Sequence, residues 1–240
     1  MFPYDAVLAS AVQTAPACIA DVLQVMRAID GTCVDGDGLK WFNRLYLEVT
    51  QAVETRVSAG GFSDPEWLAE LDIQFAGWYF AALKAFLTGG PGAECWQVLF
   101  ASRGNAALAR IQFALCGINA HINHDLPEAI VKTCQATSSV PQHPSAQYSD
   151  YTSLNSTLDG IIESAKQTLH VRLLGDPVPA VSHLEDTMAA WSVSAARENA
   201  WQNSEILWHL QGVPALADGF EDTLDGLTTV VGKALLAPVL

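Results

Sequence analysis

Residues 65–87 read PEWLAELDIQFAGWYFAALKAFL. The stretch opens on Ser63-Asp64-Pro65-Glu66. There Ser63 or Asp64 can cap a helix, Pro65 suits its first turn, and Glu66 meets the positive end of the dipole. It closes on Gly89-Gly90-Pro91-Gly92. Between these signals apolar residues fall nearly all round the helical wheel, so this helix is expected to be central in a helical assembly. Gln74 and Lys84 interrupt the apolar run, and no stretch of the chain reaches the roughly 18 apolar residues of a membrane span.

Helical spacing extends outward from this stretch in both directions. It covers Ala17 to Ile29, then about Leu39 to Ser58, where Trp41, Leu45, Val49, Ala52 and Val53 share a face. On the other side come a short segment, Cys95 to Ala101, and a helix from Ala106 to about His124 or Asp125, expected to stop before Pro127. Residues 138–150 (SSVPQHPSAQYSD) read as a loop or lid. Helices are expected from about Ser153 to Leu174 and from Leu184 to Gln211, followed by a tail with an apolar segment from Leu224 to Leu240. No alternating strand pattern occurs. The fold expected is all-α, a single bundle-like domain over residues 1–240 with about seven to nine helices.

Composition narrows the function classes. Half of the 240 residues are apolar and 16% are charged, which excludes a disordered chain. The net charge is -14, from 12 basic and 26 acidic residues. Such a surface repels phosphate backbones and anionic lipid, so neither nucleic acid nor membrane is an expected partner. The partner expected is a small molecule, with a homo-oligomer left open. The opening MFPYDAVLASAV has no basic region and carries Asp5, so a cytoplasmic protein without a secretory signal is expected. Cysteines at 18, 33, 95, 116 and 134 form no CxxC, and are read as reduced, buried thiols.

Chemistry concentrates in two polar clusters. The first is GINAHINHDLP, residues 117–127, at the end of an apolar helix. His121 and Asp125 stand four apart on one helical face, a spacing that suits a shared cation or a hydrogen bond between them. Asn119 and Asn123 lie on the neighbouring face. Acid–base work is expected of His121, Asp125, Asn123 and Asp72, the last a carboxylate set among Leu71, Ile73 and Phe75. The second cluster is ARENAWQNSEILWH, residues 196–209. Glu198, Trp201, Glu205, Trp208 and His209 share a broad face, and Glu205 and His209 repeat the carboxylate–imidazole spacing. A pocket is expected where the two clusters meet. Asn119, Trp201, Trp208, Tyr79 and Glu198 would bind substrate there. If a metal is bound, zinc or iron, its ligands would be His121, Asp125, Glu205 and His209. No serine-hydrolase elbow, phosphate loop, dinucleotide fingerprint or HExxH occurs.

The strings WFNRLYLEVTQAV, FSDPEWLAELDIQFAGWYFAAL, CWQVLF, GINAHINHDLPEAI and ARENAWQNSEILW, in this order, resemble a bacterial domain-of-unknown-function family, number 5995. The likeness spans about residues 36–210, and its most specific piece is Asn119, His121, Ile122, Asn123, Asp125 and Leu126. It implies a fold and a site but no reaction. More distantly, His121-x3-Asp125 near a proline is similar to a zinc-ligand helix of the zinc-dependent phospholipase C and single-strand nuclease superfamily. The chain departs from that superfamily in its N-terminus and in having only six histidines. Glu198-x6-Glu205-x3-His209, with Glu163 and His170, looks like the pattern of haem-oxygenase-like di-iron oxidases. Three functions follow as expectations: a metal-dependent hydrolase, a metal-free cyclase, isomerase or binding protein, and a di-iron oxidase.

Overall fold

The computed structural model describes residues 1–173 and 192–237, with side chains up to residue 165 and from residue 192 onward. Among these residues every regular element is helical. The elements are α1 (Asp5–Ala11), α2 (Ile19–Thr32), α3 (Gly38–Ala59), α4 (Pro65–Thr88), α5 (Glu94–Ser102), α6 (Arg110–Ala120), a π-helical turn (His121–Asp125), α7 (Leu126–Ala136), α8 (Ala146–Ser153), α9 (Asn155–Leu173), α10 (Val193–Leu210) and α11 (Pro214–Leu235). One apolar cluster draws residues from α1 to α10 and from the end of α11.

Helix α4 starts as its sequence dictates: the Asp64 carboxylate accepts from Trp67 N at 3.0 Å, and Gly89, at φ 72°, ends it in the left-handed conformation. Its expected central place belongs instead to α6. In α4 one flank stays partly exposed, whereas Ile111 to Ala120 of α6 are all buried. Two glycines make this enclosure possible. A Cβ on Gly38 would lie 2.3 Å from the Phe113 ring, and one on Gly117 would lie 2.3 Å from the Phe42 ring. Helices α3 and α6 thus each seat an aromatic ring of the other over a bare backbone.

The α6 rod also does not stop before Pro127. It passes through a π turn and continues as α7 to Ala136. Proline lacks the N–H that a regular helix would require at that position. The widened i→i+5 ladder just ahead of it absorbs the break, so the helix bends its register and continues. Two further corrections follow from capping and from packing. Ser145 caps α8 by accepting from Tyr148 N at 3.0 Å, so helix begins inside the expected loop. The tail is helical from Pro214, because its apolar stripe packs on α5 and α6. The expected helix from Leu184 is seen from Val193. Its earlier part lies outside the described residues.

A buried ion cluster locks the N-terminal end of the bundle. Asp37 caps α3 by accepting from Leu39 N at 3.0 Å, and also pairs with Arg103, whose Nη1 lies 3.0 Å from Asp5 Oδ1. Arg103 lies 4.7 Å from the centroid of the Phe2 ring.

Gly117→Ala should destabilise the protein by about 1–3 kcal/mol, because the added methyl drives Phe42 out of its rotamer. Gly77→Ala, a helical site with nothing within 4 Å of the new Cβ, should instead stabilise by up to about 1 kcal/mol. Urea titrations of the two variants check the pair, and equal responses would refute the α3–α6 contact.

Candidate active site

Asp125 is 1% exposed and accepts from three side chains. Trp96 Nε1 of α5 lies 3.1 and 3.0 Å from its two oxygens. His121 Nδ1 lies 2.9 Å from Oδ2, and His124 Nδ1 lies 2.8 Å from Oδ1. Burial alone would raise the Asp125 pKa. The hydrogen bonds and charges of the two histidines outweigh burial and hold it below the usual carboxylate value. An ionised carboxylate only accepts, so each Nδ1 donates.

The two imidazoles then diverge. Burial drives His121 below the ordinary 6.5, against the pull of Asp125. Burial also opposes charge on His124, but Asp125, Glu128 and Asp225 raise it to about 9. His121 is therefore a neutral ring protonated on Nδ1, with its lone pair on Nε2. That nitrogen is buried and has no partner.

His121 lines a narrow apolar cavity of about 60 Å³, together with Phe42, Tyr46, Phe75, Leu158 and Arg197. The Phe75 ring stacks on the imidazole at 3.5 Å between centroids, and the Tyr46 ring meets it edge-on at 4.4 Å. The Tyr46 hydroxyl is also buried without a partner. Burial and the nearby Asp72 and Asp125 charges push its pKa well above 10, so it stays protonated and can donate. Arg197 is buried and has no carboxylate within ion-pair distance among the described residues. It donates to Asn155 Oδ1 and to the Tyr151 carbonyl, each at 2.8 Å, and lies over the Tyr151 ring at 3.8 Å.

The remaining expected residues are placed elsewhere. Asn119 donates to Thr228 O at 2.9 Å and accepts from Asn123 at 3.0 Å. Both asparagines face a separate cleft that holds Asn199, Gln202, Asn203 and Leu224. The region where the two sequence clusters meet is this amide-lined cleft, and neither His121 nor Glu205 lines it. Glu205 is engaged with His143 Nδ1 at 2.6 Å and Trp201 Nε1 at 3.1 Å, and Glu198 with the Tyr148 hydroxyl at 2.8 Å. His143, an exposed residue, bridges the two glutamates, with Nε2 3.4 Å from Glu198. His209 is exposed. The helical spacing of Glu205 and His209 is real, but His143 and Trp201 both engage Glu205, through its Oε1. Trp201 is a core residue against Trp67 and Tyr151, and Trp208 packs beside Leu207 and Leu224. Tyr79, fully buried, donates to Asn43 Oδ1 at 3.3 Å. Glu163 is exposed, and the side chain of His170 lies outside the described residues.

Residues 19–238 match the model of a family described as "Family of unknown function (DUF5995)". The chain belongs to this family. No curated protein and no solved structure matches the chain at a significant level. The DUF5995 match takes in every residue of the histidine cluster and extends beyond the 36–210 stretch that carries the resemblance in sequence. No described helix is long and apolar enough to cross a membrane.

Sequence reasoning misses Tyr46, Trp96 and Arg197 as site residues. Trp96 and Tyr46 stand inside the family strings, yet their contacts with Asp125 and His121 come from packing between different helices. Asp72 is buried as expected, with Oδ2 unpartnered. It does not line the His121 cavity, and sits behind it near Tyr46.

Burial, and then Glu54, raises the Asp72 pKa to about 7. A folded pKa above the unfolded value means stability is lost as pH rises from about 4 through about 7. Asp72→Asn should therefore stabilise the protein by on the order of 2 kcal/mol at about pH 8, and by much less at about pH 5. Thermal melts at the two pH values check this, and a pH-independent difference would contradict it.

Proposed function

We propose that this protein is a small-molecule enzyme of the isomerase or cyclase type, working by proton transfer at His121 in an apolar pocket. One observation carries the reading: a neutral imidazole whose Nδ1 is fixed by a buried carboxylate and whose free Nε2 is buried without a partner. That is the arrangement of a general base. Tyr46 supplies the complementary group, a protonated hydroxyl able to donate to an oxygen that gains charge as a carbon acid loses its proton. Apolar walls favour a hydrocarbon body, and Arg197 favours a substrate that also carries an anionic group such as a carboxylate. In this reading Asp125 is a positioning residue: it sets the tautomer and orientation of His121 and touches no substrate.

A metal-dependent hydrolase built on His121 and Asp125 has less support, because both Asp125 oxygens are taken by donors and no other His, Cys, Asp or Glu among the described residues lines the His121 cavity. The likeness to the zinc-dependent phospholipase C superfamily gains no support from the comparisons. A di-iron oxidase built on Glu198, Glu205 and His209 has less support, because His143 and Trp201 hold Glu205 Oε1, Tyr148 holds Glu198, and His209 is exposed.

The test is hydrogen exchange. Purified protein is incubated in D₂O with a panel of apolar ketones and β,γ-unsaturated carboxylic acids, and deuterium incorporation is read by mass spectrometry. Wild-type protein should exchange at least one member of the panel. His121→Gln should lower the rate by about 10²–10⁴-fold and Tyr46→Phe by about 10²–10³-fold, with ligand binding retained. The acid limb of the wild-type rate should lie below pH 6.5, following the lowered His121 pKa. Equal exchange in wild type and His121→Gln, or no exchange of any panel member, would refute the proposal.

A further inference from the structure

The opposite side of Asp125 holds a second group of ligating side chains, independent of the His121 pocket. Cys95 of α5, His124 of the π turn and Asp225 of α11 each offer one ligand atom, and the three atoms lie within 4.8 Å of one another. Cys95 and His124 are buried and Asp225 is half-buried. Glu128 Oε1 lies 3.9 Å from His124 Nε2. Bond lengths of about 2.0–2.3 Å to a tetrahedral zinc ion imply ligand atoms about 3.5 Å apart. The three groups therefore need to close by roughly 1 Å.

From this geometry we infer that Cys95, His124 and Asp225 form a binding site for a divalent transition metal of the zinc type. A thiolate, an imidazole and a carboxylate suit zinc or cobalt and do not suit magnesium or calcium. Asp125 completes the arrangement: it takes the Nδ1 hydrogen of His124 and leaves Nε2 as the ring nitrogen free to ligate. This is the carboxylate–histidine–metal relay by which proteins orient a ligating imidazole. The Asp225 carboxylate is itself fixed, accepting from Glu94 N and Cys95 N at 2.8 Å each, and its remaining lone pairs are available. Metal entry releases the thiol proton of Cys95, and the ring proton of His124 where present, to solvent. With only three residues converging, a position stays open to water or to a substrate atom.

Full-length protein without an affinity tag, stripped of metal, is titrated with Co²⁺. The expected result is one equivalent bound, with visible bands of tetrahedral cobalt and a near-ultraviolet thiolate-to-cobalt charge-transfer band. Cys95→Ser should abolish the charge-transfer band, while Cys18→Ser, at an exposed cysteine, should leave it intact. His124→Gln should weaken binding at least tenfold. Zn²⁺ should raise the Tm of the wild type and leave that of His124→Gln unchanged. This second readout decides the matter if Cys95→Ser fails to fold. The inference is overturned if the wild type binds no cobalt, if cobalt binds without the charge-transfer band, or if Zn²⁺ stabilises His124→Gln as much as the wild type. None of these readouts depends on catalysis, so they stand or fall separately from the His121 proposal.

Discussion

A carboxylate taken out of water must be met by donors, and Asp125 is met by three from two directions in the chain. Trp96 arrives from α5, while His121 and His124 come from the same π turn as Asp125 itself. Each donor is thereby fixed in orientation. The indole locks α5 against the rod, one imidazole turns its free nitrogen into an apolar cavity, and the other turns toward Cys95 and Asp225. A single buried negative charge thus organises two chemically different surroundings. The neutral His121 and the charged His124 follow from what lies beyond each ring. Aromatic walls offer His121 no counter-charge, whereas Glu128 and Asp225 offer His124 two.

The aromatic walls depend in turn on how closely α3 and α6 approach. Phe42 sits over Gly117, and from there its ring meets Tyr79, Trp96 and His121 edge-on. Helix α3 then presents Tyr46 one turn further along, against the imidazole. The packing that encloses α6 is also the packing that shapes the cavity, so core and site are not separable regions of the molecule.

What the sequence discloses is what short-range spacing determines. The Asp64 cap, the helical run of 110–125, the burial of Asp72 and the His121–Asp125 pair all rest on residues within one or two turns of each other. What it withholds depends on partners far along the chain. Asp37 and Arg103 are 66 positions apart, and Trp96 and Asp125 are 29 apart. Glu205 and His209 show the converse failure. Their spacing is correct for a shared ligand, but His143, 62 positions earlier, takes the glutamate. That Tyr46 and Arg197 line the same cavity as His121 appears only once α3, α6 and α10 are placed around it. The π turn leaves a single trace in the sequence, the proline two residues beyond it, and that trace reads more naturally as a helix end.

A π turn is a helix carrying one residue more than its ladder requires. Each residue of an α-helix rotates the following chain by about 100°. Deleting one residue between His121 and Asp125 would therefore let the rod close into continuous α-helix, with a hydrogen-bond ladder as regular as any other. The rest of the molecule would hardly register the loss. The wider turn rotates less per residue and so takes up the surplus, and α7 would keep its angle to α6, with Ala129 and Ile130 on the faces they now bury. The surplus residue shifts the sequence of the rod by one position without shifting its faces. The histidine–aspartate cluster occupies the point of that shift.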